Sequence, residues 1–458
     1  MSDKNSLENI QHTVHACNAR ELLLKLFDEN TFLELDKYSP TPVCVGTGFV
    51  NGTIVCAFAQ DGDNNNGAMD EKGARKIKKA YELAVKNGCP IVGIFNSNGG
   101  KIIEGAKLLS AYSEILAKAT KLSGVVPQIS IVNGVSAGAQ ALITTLSDFV
   151  IMTKDAELFL TAPFVATDSN ELSGSAEVSA KSGVSAITTE NSDEAIEKAK
   201  TLLGILPKNN LDSGISAQEN SDDVKITSSL SGVELINAIS SNENSIELYK
   251  DFGDSAKTVI GSLDWHTVAY VCVNGKLTAD DTVKIAKLVS FADAFSLPVI
   301  TFIDTEGFEP SSKAEISGSI RDSARLAQVY ANATTAKISV ITGKAYSSAY
   351  IALAGKNAGI DISFAWEQSI IAAMAPQAAV NFLYADEISN SDNPKQTEKD
   401  LINKYINENA SAYSAAENGL VDSVISPQET KTELIKALDS IDSKRVCNPA
   451  KKHVNFIF

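Results

Sequence analysis

Two short segments of small residues carry the chemistry that this sequence can offer. They span residues 135–140 and 346–351, and each follows an apolar, strand-like stretch. A strand that ends in Gly, Ala or Ser and enters a helix leaves backbone N–H groups without partners at the helix N-terminus. Two such donors directed at one oxygen form an oxyanion hole, in which one donor can lower a barrier by about 2.7–4 kcal/mol.

Small side chains are required in such a turn because a substrate carbonyl must approach the backbone closely. Small residues at a strand–helix junction also permit close packing, which would be the simpler interpretation of one isolated turn. The same turn occurs at matched places in both halves of the chain, and this repetition favours two oxyanion holes.

Side chains that could act as acids, bases or ligands are sparse. Glu104 and Glu306 lie near the turns and are candidate general acids or bases, although each is equally suited to a surface or capping role. His266, one of four histidines, lies in a strand pattern and is expected to be structural. The six cysteines form no CxxC motif, so we expect buried thiols and no metal site.

The elements that must position the turns also occur twice, about 210 residues apart. Apolar strands at 89–97 and 297–304 each precede a turn, and helical patterns at 70–86 and 279–294 precede those strands. Strands that alternate with helices predict a mainly parallel sheet. The fold class is therefore α/β, with two duplicated domains, and residues 137–139 are expected to match 347–349.

The domain division falls in a polar stretch. Residues 209–225 are rich in Asn, Ser, Asp and Gly, which is typical of a linker. We therefore expect one domain over 1–220 and a second over 221–458. Residues 389–399 are expected to form a polar loop within the second domain.

Composition limits the function classes. The 458 residues carry a net charge of −16, which argues against nucleic acid as a partner because phosphate binding needs a basic face. The first ten residues are polar, and no apolar run approaches the roughly 20 residues that span a bilayer. These features predict a cytoplasmic protein.

Several motifs together resemble one family. Residues 97–105 read SNGGKIIEG, 123–130 read SGVVPQIS, 159–163 read FLTAP, and 340–350 read VITGKAYSSAY. They are similar to motifs of the carboxyltransferase subunits of biotin-dependent acyl-CoA carboxylases and decarboxylases, of the propionyl-CoA carboxylase β and methylmalonyl-CoA decarboxylase α type. The resemblance covers nearly the whole chain.

The resemblance implies tandem crotonase-type domains and a division of labour between the turns. Gly138 and Ala139 N–H groups would bind the acyl-CoA thioester oxygen, and Ser348 and Ala349 N–H groups would bind the biotin ureido oxygen. The residues that would line the substrate sites are Gly99, Gly100, Lys101, Ala137, Thr161, Pro163, Tyr346 and Ser347.

The resemblance also implies partners. Biotin would arrive on a separate carrier protein, and a biotin carboxylase or membrane decarboxylase subunits would complete the system. The two holes would meet across the interface of a homo-oligomer, most simply a hexamer. The direction of the reaction and the acyl group stay open.

Two alternatives remain open from the sequence. Ser347-Ser348 stands where the family has Gly-Gly, which would suit a catalytically impaired assembly subunit. A crotonase-type hydratase or thioesterase that uses Glu104 and no biotin is the third interpretation. Carboxyl exchange between biotin and acyl-CoA esters distinguishes them.

Overall fold

The computed structural model describes residues 18–162, 165, 173–212, 225–240, 245–446 and 448–455. The chain divides into two compact units, Met1–Gly214 and Ile215–Phe458. The predicted division at residue 220 lies in 213–224, outside the described residues.

The first unit is one eight-stranded sheet with helices. Its strands are β1 Leu33–Leu35, β2 Val43–Val50, β3 Thr53–Gln60, β4 Ile91–Ser97, β5 Gln128–Ala137, β6 Phe149–Thr153, β7 Glu157–Phe159 and β8 Ile187–Thr189. Its helices are α1 Asn18–Leu26, α2 Glu71–Asn87, α3 Lys107–Leu122, α4 Ala139–Thr145, α5 Ala176–Lys181 and α6 Ser192–Ile205. The strand order is β1-β2-β3-β4-β5-β6-β8, with β7 paired to β5.

The second unit repeats this plan. Its strands are β9 Ile246–Leu248, β10 Ala256–Leu263, β11 His266–Asn274, β12 Val299–Thr305, β13 Lys337–Tyr346, β14 Ile362–Trp366, β15 Ile370–Ala372 and β16 Ser423–Ile425. Its helices are α7 Gly232–Ile239, α8 Ala279–Ala294, α9 Ser312–Ser317, α10 Ser319–Asn332, α11 Ser347–Leu353, α12 Pro376–Leu383, α13 Ala385–Ser389, α14 Pro394–Tyr405, α15 Ala412–Glu417 and α16 Thr430–Ile441.

The two sheets have the same topology. The second runs β9-β10-β11-β12-β13-β14-β16, with β15 paired to β13. In each sheet the first three strands are antiparallel and the following strands are parallel. The predicted duplicated α/β fold is confirmed.

Local signals in the sequence set the element boundaries. The Asp70 carboxylate accepts a hydrogen bond from the Gly73 N–H at 2.7 Å and begins α2, which ends at Gly88 with a φ of 57°. Thr278 and Asp281 form a capping box at the start of α8. Asn51 and Gly52, both with positive φ, close the hairpin between β2 and β3.

The expected loop over 389–399 is wrong in its second part. Pro394 begins α14, and the Asn393 side chain accepts a hydrogen bond from the Gln396 N–H. Asn at the N-cap followed by Pro is a helix start signal, and the high polarity of the segment obscured it.

Both strands that carry the turns contain the same irregularity. β4 and β5 pair up to Phe95 and Val132 and resume at Ser97 and Ser136, so that Asn96 alone faces three residues of β5. In the second unit β12 and β13 do the same around Asp304, between the Ile303–Ile341 and Thr305–Ala345 pairs. Each strand therefore continues through the first part of the predicted turn, to Ala137 and to Tyr346.

Hydrogen bonds to this irregularity fix which residues of the two turns correspond. Asn96 Oδ1 accepts from the Val135 N–H at 3.3 Å, and Asp304 Oδ1 accepts from the Lys344 N–H at 2.8 Å. Val135 therefore corresponds to Lys344, and by counting along the chain Gly138 corresponds to Ser347. Their φ angles agree, at 64° and 52°. The expected match of 137–139 with 347–349 was wrong by one residue, and the partners are 346–348.

Ser347 occupies a backbone conformation that favours glycine, so Ser347→Gly should stabilise the protein. A left-handed conformation costs an L-residue roughly 1–2 kcal/mol, and the greater freedom of unfolded glycine offsets about 0.5–1 kcal/mol of that gain. We expect the free energy of unfolding to rise slightly in urea titrations, and Gly138→Ser to lower it. A loss of stability in Ser347→Gly would contradict the assigned backbone conformation.

A buried lysine gives the second unit a specific pH dependence. Lys284 on α8 is 1% exposed, and its Nζ donates to the carbonyl oxygens of Tyr249 and Gly253 at 3.1 and 2.7 Å. Burial lowers the pKa of Lys284 from 10.5 to about 8. Between these values the unfolded chain binds more protons than the folded chain, so this group makes stability increase as pH rises.

Lys284→Met should therefore reduce the gain in stability between pH 8 and pH 9.5. The measurement is the urea midpoint at both pH values, with the exposed Lys250→Met as the control. An unchanged pH response in Lys284→Met would show that the lysine is not held in an unfavourable charged state.

Candidate functional site

The first turn offers two backbone donors. Gly138 precedes α4 and supplies no side-chain cap, and its carbonyl oxygen accepts from the Ala141 N–H at 3.0 Å. The first amides of a helix have no partner within the helix. The N–H groups of Ala139 and Gln140 are therefore the donors that this turn can present to a ligand.

The expectation that the Gly138 N–H is such a donor was wrong. That N–H donates to the carbonyl oxygen of Phe159 at 2.9 Å, because β7 pairs in parallel with β5 and the ladder extends one residue beyond the strand. Gly138 instead contributes its positive φ, which turns the chain sharply from strand to helix.

The second turn has the same construction. Tyr346 precedes α11 without a side-chain cap, and Ser347 makes the positive-φ step. Ser348 and Ala349 stand where Ala139 and Gln140 stand in the first unit. Ser348, like Ala139, is exposed, whereas Ala349 is fully buried, as Gln140 is. The two donors expected in this half are thus the equivalents of those found in the first.

A cavity of about 840 Å³ opens beside the first turn. The expected site residues Gly99, Gly100, Ala137, Gly138 and Ala139 all line it. The other lining residues are Asn98, Ile102, Gly105, Ala106, Leu108, Leu109, Tyr112, Val135, Glu157, Phe159, Leu160 and Ala162. The walls are largely apolar.

Two of the substrate residues expected in the first unit do not line the cavity. Lys101 and Thr161 are both exposed to solvent and lie outside the wall of the cavity. Pro163 falls outside the described residues. Tyr346, which belongs to the second unit, is 4% exposed at the end of β13.

Sequence reasoning missed Tyr112 of α3. It is 8% exposed, its hydroxyl has no hydrogen-bond partner among the described residues, and burial raises its pKa to about 12. Tyr112 lies on the apolar face of α3 with Leu108 and Ile115. Apolar residues at this helical spacing indicate a buried face, and they do not indicate a cavity wall.

Glu104 is not placed as a catalytic acid or base. Its Oε2 accepts from the backbone N–H of Glu71 at 2.8 Å, at the start of α2. A carboxylate there satisfies an unpaired amide and interacts favourably with the helix dipole. The capping alternative describes this residue.

Glu306 forms an ion pair beside the second turn. Lys344 Nζ lies 2.6 Å from Glu306 Oε1, and Lys276 Nζ lies 3.8 Å from Oε2. The hydrogen bond and charge of Lys344 lower the pKa of Glu306 below its usual range, so the carboxylate is ionised at neutral pH. The corresponding residues of the first unit are the uncharged Asn98 and Val135.

The remaining candidates have structural roles. His266 is 6% exposed in β11, and its ring stacks near Trp265 with centroids 3.7 Å apart. Four cysteines are buried free thiols, as expected: Cys44, Cys56, Cys89 and Cys272. Within the described ranges, no group of three or more acidic, His or Cys side chains could hold a metal ion. Across those same ranges, the helices are too short or too polar to cross a bilayer.

Known proteins match the chain over almost its full length. The family model for the carboxyl transferase domain matches residues 4–456. A propionyl-CoA carboxylase carboxyltransferase subunit of Haloferax mediterranei is 33% identical, over 97% of this chain and 94% of the relative. A methylmalonyl-CoA decarboxylase subunit alpha of Veillonella parvula is 34% identical over the same shares.

Solved structures agree. The transcarboxylase 12S hexamer, solved with methylmalonyl-coenzyme A and methylmalonic acid bound, superposes with a TM-score of 0.90 at 31% identity, covering 98% of this chain and 94% of that one. A single-chain long-chain acyl-CoA carboxylase shares the fold, with a TM-score of 0.79 at 20% identity over 92% of this chain and 45% of that one. The chain therefore belongs to the carboxyl transferase family, as its motifs predicted.

Proposed function

We propose that this protein moves a carboxyl group between biotin and an acyl-CoA, with one turn for each ligand. The Ala139 and Gln140 N–H groups bind the thioester oxygen, and the Ser348 and Ala349 N–H groups bind the ureido oxygen of biotin. The observation that carries the proposal is the repeated turn, which places equivalent donors in two units of one chain. A single hole would serve a hydratase or thioesterase equally well.

The cavity beside the first turn suits an acyl-CoA. Its volume and its largely apolar lining fit the acyl and pantetheine portions of the ligand, and Ala139, which carries one of the two donors, lies in its wall. The relatives that match the chain are named for propionyl-CoA and methylmalonyl-CoA. We infer a short-chain acyl-CoA and its carboxylated form as the pair of substrates.

In the proposed reaction, the protein stabilises the developing charges with backbone N–H groups. Negative charge develops on the thioester oxygen as the α-carbon gains or loses its carboxyl group, and on the ureido oxygen at the other ligand. Fixed N–H dipoles stabilise both charges without reorganising. Biotin, when bound, would supply the nitrogen that exchanges its proton for the carboxyl group, and the α-carbon that gives up the carboxyl group would take a proton in return. Because biotin itself can exchange the proton, the reaction needs no side-chain base. Glu104 and Glu306 are both engaged in other contacts.

The partners follow from this division of labour. Biotin would be delivered on a separate carrier protein, with a biotin carboxylase or membrane decarboxylase subunits as the other components. We infer a homo-oligomer, a hexamer like that of the transcarboxylase 12S relative, in which the first turn of one copy meets the second turn of another. A cytoplasmic location is proposed for such a complex.

An impaired assembly subunit is the second candidate. One observation motivates it: Ser347 takes the positive-φ position that glycine fills in the first unit. A serine there still permits the Ser348 and Ala349 amides to face a ligand, so the strain costs stability without removing a donor. Carboxyl exchange by the purified protein decides between the two candidates.

Matched substitutions at the two turns should separate the ligands. Ala139 and Ser348 are both exposed and hold equivalent positions, so valine at either place crowds one donor pair. We expect Ala139→Val to lower kcat/KM for the CoA ester about 100-fold, the usual effect of losing an oxyanion donor, and to leave the KM for free biotin unchanged. Ser348→Val should have the opposite pattern. The assay follows carboxyl transfer from a carboxylated acyl-CoA to free biotin.

Two outcomes would count against this assignment. Equal loss of both ligands in either variant, with unchanged thermal unfolding, would mean that the turns do not serve separate ligands. Full exchange activity in both variants would remove the turns from the reaction.

A further inference from the structure

A buried network of side chains holds both ends of the first turn. Gln60 ends β3, Gln140 lies in α4, and their side-chain amides exchange two hydrogen bonds of 2.9 and 2.8 Å. Gln60 Oε1 also accepts from the Asn96 N–H at 3.2 Å, and Asn96 Oδ1 accepts from the Val135 N–H at 3.3 Å. The network, here called the amide clamp, runs from the residue that begins the turn to the residue that ends it.

Burial makes the arrangement of the clamp specific. Gln60 and Gln140 are each 1% exposed, and a buried amide without a partner destabilises the fold. The reciprocal pair therefore keeps both side chains in one orientation. Gln140 also supplies one of the two N–H donors, so the anchor on its side chain restricts the direction of that donor.

The second unit builds the same fold without this pair. The Cys56–Ile91 pair of the first sheet is equivalent to the Ala269–Val299 pair of the second. Gln60 and Val273 each lie four residues further along the same strand, so they correspond. Gln140 corresponds to Ala349. Both of these residues are apolar and buried, and the Asp304–Lys344 hydrogen bond anchors the start of the second turn. The clamp is thus not a requirement of the architecture, which favours a role specific to the first turn.

We propose that Gln60 and Gln140 are positioning residues, which hold the Ala139 and Gln140 N–H groups in line with the thioester oxygen. This inference rests on the proposed function, because it assigns that oxygen to the first turn. Orientation of donors before the charge develops is what makes an oxyanion hole effective. The side chains themselves do not contact the substrate; they act through the backbone of the turn.

The test installs the second unit's residues in the first, as Gln60→Val with Gln140→Ala. Removal of both partners leaves no unpaired side-chain amide, and the Asn96 N–H is the one donor of the clamp that loses its acceptor, so we expect a moderate loss of stability and a folded protein. We expect kcat for carboxyl transfer to fall roughly 10-fold or more, as for a misplaced catalytic group, while the KM for the CoA ester stays within about twofold. A buried polar pair that only stabilised the fold would change the melting temperature and leave kcat per folded site unchanged.

The single variant Gln140→Ala removes the partner of the Gln60 side-chain N–H but keeps the hydrogen bond from the Asn96 N–H to Gln60 Oε1, and it should also lower kcat. Thr301→Val with Tyr330→Phe is the matched control, because it removes a buried pair at 2.9 Å in the second unit and should leave kcat unchanged. Unchanged kcat in the double Gln variant would overturn the proposal.

A readout independent of activity separates this proposal from the proposed function. Hydrogen–deuterium exchange of the peptide that covers residues 135–145 should be roughly tenfold faster in the double variant if the clamp restricts the turn. Equal exchange would overturn the clamp even in an active enzyme. Faster exchange in a protein that transfers no carboxyl group would support the clamp and count against the proposed function.

Discussion

Both sites depend on one kind of hydrogen bond, in which a side-chain oxygen next to the turn accepts a backbone N–H. Asn96 and Asp304 each stand alone opposite three residues of the neighbouring strand and accept the N–H that this irregularity frees. Gly134 and Gly343 lie directly over these side chains, and a Cβ at either glycine would collide with them. The extra residues bend each strand just before the positive-φ step, and the helix that follows begins with amides that have no partner within the helix. Without that oxygen, the freed N–H would be left without its partner.

From this shared base the surroundings of the two turns diverge. The first has Gly138 at the strained position, an amide clamp behind it and a largely apolar cavity in front. The second has Ser347 at that position, an apolar pair behind it and the Lys344–Glu306 ion pair beside it. Duplication accounts for the equal geometry of the donors, and divergence accounts for the unequal surroundings. This combination is what we expect for the proposed reaction, in which charge develops on oxygens of two different molecules.

The sequence predicted the fold well because its signals are local and repeated. The Asn51-Gly52 hairpin, the cap at Asp70 and the apolar strands before each turn each specify their own element. Local signals could not predict which backbone N–H of the turn is free. The Gly138 N–H donates to the carbonyl oxygen of Phe159, which is 21 positions away on β7, and the sequence does not show that β7 pairs with β5. The expected correspondence of Gly138 with Ser348 failed for a similar reason, since residue type suggested it and the strand register pairs Gly138 with Ser347 instead. The Gln60–Gln140 pair spans 80 positions and left no local pattern.

The central claim is that each turn binds the oxygen of one ligand through its own two amides. A structure of the assembled protein with an acyl-CoA and biotin bound tests it most directly. The account predicts the thioester oxygen about 2.7–3.1 Å from the Ala139 and Gln140 nitrogens, and the ureido oxygen at the same range from those of Ser348 and Ala349. Both oxygens at one turn, or either oxygen held by side chains away from the turns, would contradict it.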